Sequence, residues 1–336
     1  MATFLMRRIL LSFVVLMLVT VVTFTIAHAV PGDPLATVVS DRVNDPRVME
    51  AYRRKFGLDK PITVQYVYYM KNLMRGDLGL SITTSQPVTK DLRRFLPATL
   101  ELSGAAIIFA IVCGMPLGVL AALNHNRFGD HVSRGISLIG ASIPVFYLAL
   151  LSLYLISFRF ELLPFGGRLE PGQTPPPHVT GMYTIDALLA GDLGLFWEAL
   201  KHLIQPAIVL GAFSMGIVAR MVRSSLLEVL GQDYIRTARA KGLAERRVVG
   251  GHALRNAMIP TLTVMGLLTG SLLAGAVLTE TTFAWPGLGR YAVDAASRLD
   301  FPAILGVTLI SATIYIVVNL IVDILYGVLD PRIRQS

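Results

Sequence analysis

Six long apolar runs divide this chain. They cover residues 9–30, 99–123, 136–157, 203–221, 262–278 and 303–326. A helix needs roughly 20 mostly apolar residues to cross a hydrocarbon layer of about 30 Å. Each run comes close to that, the fifth falling a few residues short. Runs three to five contain Pro144, Pro206 and several glycines. Membrane helices tolerate such residues where neighbours satisfy the backbone, and small residues let helices approach closely. The pattern predicts an all-α integral membrane protein with six transmembrane helices. Composition agrees: 54% of residues are apolar and 15% charged, where a soluble chain carries about 25% charge. The mean hydropathy of +0.61 argues against a soluble helical core.

Arginine and lysine set the orientation. Arg7 and Arg8 precede the first run, Arg127 and Arg134 lie in the short connection 124–135, and Arg332 and Arg334 close the tail. Arg220, Arg223, Arg236, Arg239, Lys241, Arg246, Arg247 and Arg255 crowd the fourth-to-fifth connection. With six spans all of these fall on one side, which short-loop bias assigns to the cytoplasm. Both termini are then cytoplasmic, and 31–98, 158–202 and 280–302 lie outside, with Lys71 and Arg168 among them. The expected division is an N-terminal helix 1–30, an extracytoplasmic region 31–98, a core of five spans over 99–328 with a cytoplasmic loop 222–260, and a tail 329–336. Arg7-Arg8, the apolar run and Ala27-His28-Ala29 also resemble a signal peptide. Residues 9–27 are nearly continuously apolar, longer than the usual core of about 7–15, which favours a retained helix.

The outer segments read as partly ordered. Short helices are expected at 48–56, at 62–73 with Tyr66, Tyr69 and Leu73 on one face, and at 89–96. Arg75–Ser81 is turn-rich. Residues 164–181 form a Pro/Gly-rich excursion, followed by a helical piece over 185–200.

Catalytic chemistry finds no foothold. The six histidines form neither HExxH nor a His-x-x-x-His pair, and no GxSxG elbow occurs. Cys113 is the only cysteine and reads as a small packed hydrophobe. No GxxxxGK[ST] phosphate loop is present; Gly114-Met-Pro-Leu-Gly118 lacks the lysine. The chain is expected to be no enzyme, to hold no cofactor and no metal, and to leave ATP hydrolysis to a partner. Buried ionisable residues mark ion relays in membranes. Here Glu101, Glu280 and Asp323 sit only near span ends, so ion coupling has little support.

The basic segment 222–260 fits the role of a partner's docking point. One helix is expected over 224–240, with Leu226, Leu227, Leu230, Tyr234 and Ala238 inward. Gly242 suits its C-terminus, beside Lys241. A second, transverse helix over 244–249 carries Glu245, Arg246 and Arg247, and Gly250-Gly251 ends it. The competing reading is that the charges merely meet anionic lipid.

The stretch Asp233–Pro260, DYIRTARAKGLAERRVVGGHALRNAMIP, resembles the cytoplasmic loop of permeases in dipeptide/oligopeptide ABC importers. The resemblance extends over nearly the whole chain, through Pro31–Pro34, Phe56–Pro61, Gly76–Ser81, Glu280–Arg290, and Asp323 with Asp330-Pro331-Arg332. Arg236-Thr237-Ala238 stands where the wider motif has Glu-Ala-Ala, and the spacing from Gly242 to Pro260 is longer; both departures are those of the peptide branch. The resemblance implies a type I importer permease fold with an ordered extracytoplasmic loop after the first helix, in a bacterial or archaeal cytoplasmic membrane. Its implied partners are a second homologous permease, two cytoplasmic ATP-binding subunits, an extracytoplasmic binding protein, a peptide substrate and lipid, but no nucleic acid. Glutathione or nickel chelates are alternative substrates, and a stand-alone channel or carrier is the alternative class. Coupling is assigned to Arg236, Ala238, Arg239, Gly242, Leu243, Ala244, Glu245, Arg246, Arg247 and Val248. Gly140, Ser142, Ser214, Gly216, Gly270, Ser271 and Gly275 are candidates for lining a path or for helix packing.

Overall fold

A computed structural model describes the backbone over 2–29 and 60–329, and side chains over 6–26, 60–272, 276–322 and 324. The expected helix 48–56, the Pro31–Pro34 and Asp330–Arg332 motifs, the first four residues of Phe56–Pro61, the surroundings of Gly275 and the side chain of Asp323 lie outside the described residues.

Among the described residues the named elements are all helices. The helices are α1 (Ala2–Ala29), α2 (Ile62–Met74), α3 (Val88–Leu123), α4 (Phe128–Ser142), α5 (Val145–Ser152), α6 (Tyr183–Leu189), α7 (Leu193–Leu230), α8 (Asp233–Ala240), α9 (Glu245–Arg247), α10 (Leu254–Thr282), α11 (Leu288–Ser297) and α12 (Phe301–Leu329). Four of them, α1, α3, α7 and α12, contain straight stretches long and apolar enough to cross a membrane. Two bent pairs raise the number to six if each counts as one span.

The bent pairs depart from the expected third and fifth runs. α4 and α5 meet at 102° across Ile143-Pro144. Steric conflict with the proline ring pushes the preceding residue into extended backbone, and Ile143 sits at φ −79°, ψ 127°. α5 then passes into a π-helical stretch, Leu153–Arg159. α10 changes direction by 49° in its second half.

Other helices run longer than the apolar runs alone indicate. The expected helix 89–96 and the second run are one 36-residue helix, α3. The fourth run is the middle of the 38-residue α7, which begins at Leu193 after a break from α6. At 1.5 Å per residue these two reach about 54 and 57 Å, well beyond a hydrocarbon layer of about 30 Å. Both therefore project from the bilayer, and the two functional clusters described below sit at opposite ends of this pair.

α3 and α7 form the centre of the bundle, and glycine brings them together. A Cβ on Gly114 would stand 2.9 Å from the Met215 carbonyl oxygen, and one on Gly118 would stand 2.6 Å from that of Ala219. Around this seam lie Leu102, Ala106, Leu203, Leu210, Leu272 and Trp285. α1 is almost uncovered, with Leu10, Phe13 and Leu18 exposed, a surface fit for lipid. Its inner side meets α2, where Phe24 packs on Tyr66 and Tyr69 at 5.3 and 5.6 Å between ring centres. The turn-rich segment after α2 is pinned by buried carboxylates. Asp300 accepts from Ser81 Oγ at 2.6 Å and Thr83 N at 2.8 Å, and Asp91 accepts from Tyr291 and Thr84.

Candidate functional site: the basic knob

The knob begins where α7 stops. Gly231 and an extended Gln232, at φ −74° and ψ 150°, turn the chain into α8. The single helix expected over 224–240 is therefore two. The break rotates the inward face: Ile235 is fully buried while Tyr234 is 43% exposed. Tyr234 instead accepts a hydrogen bond from Asn256 Nδ2 at 2.7 Å, tying α8 to the start of α10.

α8 closes with a Schellman turn. Gly242 has φ +74°, the left-handed region where glycine is preferred. Its N–H donates to the Arg239 carbonyl at 2.9 Å, and the Leu243 N–H donates to that of Ala238 at 3.4 Å, the paired bonds of this cap. A Cβ on Gly242 would meet nothing within 4 Å. Backbone conformation, not crowding, makes the demand for glycine here.

Arg239 then forks onto Glu245 across the turn, Nη2 to Oε1 at 2.6 Å and Nε to Oε2 at 3.1 Å. The hydrogen bond to Glu245 pushes the Arg239 guanidinium above its ordinary value. The Arg236–Asp233 pair, at 3.4 Å and largely in solvent, adds little, as exposed pairs do.

The second helix differs from expectation. α9 does not end at Gly250-Gly251. It passes through a π-helical stretch, Val248–Ala253, directly into α10. The knob is thus the continued end of a membrane helix, not a separate transverse piece. Its inner side packs as one cluster: Leu226, Ile235, Ala238, Val248, Ala253 and Ala257 with Ala122 of α3, flanked by Val119, Leu230 and Leu243. Ala238 and Val248 hold the knob together from inside. Arg236, Arg239, Gly242, Ala244, Glu245, Arg246 and Arg247 form its exposed rim, with Leu243 half-buried.

A buried ion pair braces the same end of the bundle. Asp130 is fully buried and accepts from Arg223 Nε and Nη2, both at 2.8 Å. Arg134 stands 3.3 Å away. This joins α4 to α7 just above the knob. Loop charge alone gives no sign of it, since Arg223 and Arg134 read there only as orientation signals.

The opposite end carries a second constellation. Arg168, from the strap between α5 and α6, reaches the buried Glu101 of α3 and donates to the Gly181 carbonyl at 2.9 Å. Its guanidinium lies 3.5 Å over the Tyr183 ring. Thr184 donates to Glu101 from N and Oγ1 at 2.8 and 2.7 Å. Glu280 accepts from Thr99 at 2.6 Å. A Cβ on Gly287 or Gly289 would stand 2.3 or 2.9 Å from atoms of the Glu280 carboxylate. That contact explains the glycines of the 280–290 segment.

The small residues divide. Gly140 and Gly216 lie at helix contacts, where a Cβ would stand 2.9 Å from Ala212 O and 2.4 Å from Ser137 O. Gly270 faces Tyr315. Ser214 is buried, and Ser142 and Ser271 are exposed.

A multi-span helical bundle with a rigid basic knob continuous with one span is the architecture of a membrane-embedded transport subunit. The chain belongs to the family of binding-protein-dependent transport system inner membrane components, whose model matches residues 114–335. The N-terminal model of the same systems matches residues 1–103. Among its relatives is the probable D,D-dipeptide transport system permease protein DdpB of Escherichia coli. It is 48% identical over 318 residues, covering 95% of this chain and 93% of that one. The di/tripeptide transport system permease protein DppB of Pseudomonas aeruginosa is 47% identical over the full length of both chains. The glutathione transport system permease protein GsiC of Escherichia coli is 37% identical, again over the full length of both. In fold the chain is similar to the inward-facing MetNI methionine ABC transporter, with a TM-score of 0.51 at 17% identity, covering 71% of this chain and 96% of that one.

Proposed function

We propose that this chain is a permease subunit of an ATP-driven importer for dipeptides or short oligopeptides. The observation that carries the reading is the exposed Arg/Glu rim of a knob whose backbone runs unbroken into α10. An ATPase that grips Glu245–Arg247 pulls on a span without an intervening hinge loop. Peptide substrates follow from the relatives named for dipeptides at 45–48% identity. Glutathione, the printed substrate of a relative at 37%, is the second reading.

In this account the two bent pairs each count as one span, giving six in a type I importer arrangement. The knob and both termini face the cytoplasm. The segments around α2, the strap and α11 form an ordered outer face. A second, homologous permease completes the pathway, two ATP-binding subunits dock on the knobs, and a binding protein delivers substrate above. ATP binding draws the knobs together and switches which side of the path is open, a gated two-state cycle. The test is ATP-dependent uptake in vesicles holding the full complex, with a panel of dipeptides, longer peptides, glutathione and nickel chelates. Peptide uptake that neither glutathione nor nickel chelates compete supports the reading. Uptake of glutathione or chelate alone overturns it.

A further inference from the structure

His202 lies near the strap end of α7, with only 2% of its side chain exposed. Its Nδ1 stands 2.9 Å from the Gly166 carbonyl oxygen. A carbonyl only accepts, so Nδ1 carries the proton, and in the neutral ring Nε2 carries the lone pair. That Nε2 is buried and has no hydrogen-bond partner. It points at two carboxylates, Glu198 Oε1 at 3.4 Å and Glu170 Oε1 at 4.0 Å. A lone pair directed at two anions is repulsive, and either a second ring proton or a metal cation between them removes the repulsion.

The spacing suits a metal ion. Zinc binds imidazole nitrogen at about 2.0–2.1 Å and carboxylate oxygen at about 2.0–2.2 Å, so neighbouring ligands of a tetrahedral ion lie about 3.4 Å apart. The His202–Glu198 separation matches that value. The three donor atoms all fall within 4.8 Å of one another. Glu170 is 54% exposed, and a side-chain rotation carries its carboxylate inward from 4.0 Å to ligand spacing. Metal-bound histidines commonly donate their other N–H to a backbone carbonyl, which fixes tautomer and ring plane. Gly166 supplies that carbonyl. Lys201 pairs with the other oxygen of Glu198, Oε2, at 3.6 Å, leaving Oε1 to the site.

The scaffold is preformed on both sides. Glu198 and His202 are one turn apart on α7. Glu170 belongs to the strap, anchored independently by Gly167 N to Phe283 O at 2.9 Å and by Arg168 on Glu101. A polar cleft of about 400 Å³, bordered by Gln173, Thr174, Asp192 and Glu198, gives an ion a route from solvent.

We propose that Glu170, Glu198 and His202 form a binding site for a divalent transition ion of the zinc type, which clasps the strap to α7. Such a clasp stiffens the end of the bundle opposite the knob, and it stands whether or not the substrate is a peptide. Water from the adjoining cleft would complete a fourth position.

The test uses the purified full-length chain, stripped with chelator and titrated with Zn²⁺ in equilibrium dialysis. One zinc per chain is expected. Glu198→Gln and His202→Gln should each weaken binding by at least about tenfold, while His178→Gln, at an exposed histidine elsewhere on the strap, should leave it unchanged. Cobalt(II) supplies a second readout: low-symmetry visible bands in the wild type, absent in Glu198→Gln. Glu198 is more exposed than His202, 18% against 2%, so that variant keeps the test open if His202→Gln fails to fold. No saturable zinc, zinc retained by both variants, or a doubly protonated His202 ring that excludes the ion would each overturn the proposal.

Discussion

Replacing Gly242 separates a backbone requirement from a packing one. Gly242 sits at φ +74° with open space where a Cβ would go. A substitution there pays only the conformational cost of the left-handed region, about 1–2 kcal/mol for an ordinary residue. A β-branched residue resists that region most, and asparagine resists it least. The expected order is therefore glycine, asparagine, alanine, valine. A penalty of about 2 kcal/mol shifts the closed-to-open ratio of the turn by about 30-fold. Opening it releases the two cap bonds and slackens the Arg239–Glu245 fork, so α8 and α9 no longer move as one. The assay is peptide uptake set against ATP hydrolysis in vesicles, at matched amounts of assembled complex. Gly242→Val should hydrolyse ATP with reduced uptake per ATP, and Gly242→Asn should stay near wild type. Equal loss in both variants would refute the conformational argument, because it would mean that Gly242 touches a partner directly. Unchanged uptake per ATP in Gly242→Val would remove the turn from the coupling path.

Other outcomes follow from the same geometry. Gly118→Leu drives a side chain into Ala219 O and Val222, with Cβ contacts of 2.6 and 2.7 Å. Its cost belongs at the upper end of about 1–3 kcal/mol for overpacking, read as a lower melting temperature in detergent. Arg223→Ala removes the two 2.8 Å bonds to buried Asp130 and leaves it with Arg134 and the Asn126 N–H; a buried charge so under-compensated is destabilising, and Arg223→Lys should fall between it and wild type in folded yield. Burial alone would raise the Asp186 carboxyl, but hydrogen bonds from Thr180, Gly181 and Val179 outweigh it and hold the group below its ordinary value. Its contribution is therefore complete above the unfolded value of about 3.9 and fades as pH falls towards the lower folded value. Proteolysis of the strap should accelerate in acid, and Asp186→Asn should flatten that dependence.

The sequence makes the apolar runs and the turn at Gly242 legible because both rest on local properties, side-chain hydrophobicity and the backbone freedom of one residue. It hides where helices continue. Residues 89–96 read as a short separate helix, yet they are the first turns of α3, where buried partners on α11 and α12 hold Val88, Asp91 and Leu92. Ile143-Pro144 breaks a helix while Pro206 does not, and the two prolines look alike in the sequence. The pairing of Arg223 with Asp130, 93 positions apart, and of Arg168 with Glu101, 67 apart, has no local signature. His202 is likewise one of six histidines until the fold brings Gly166 and Glu170 to its two nitrogens.

The central claim is that the rim of the knob meets an ATP-hydrolysing subunit. A photo-crosslinking residue in place of Arg246, exposed on that rim, tests it in the assembled complex within native membranes. The account predicts a crosslink to the ATPase whose yield changes when nucleotide is bound. Crosslinks to lipid or to the binding protein alone, with or without nucleotide, would contradict it.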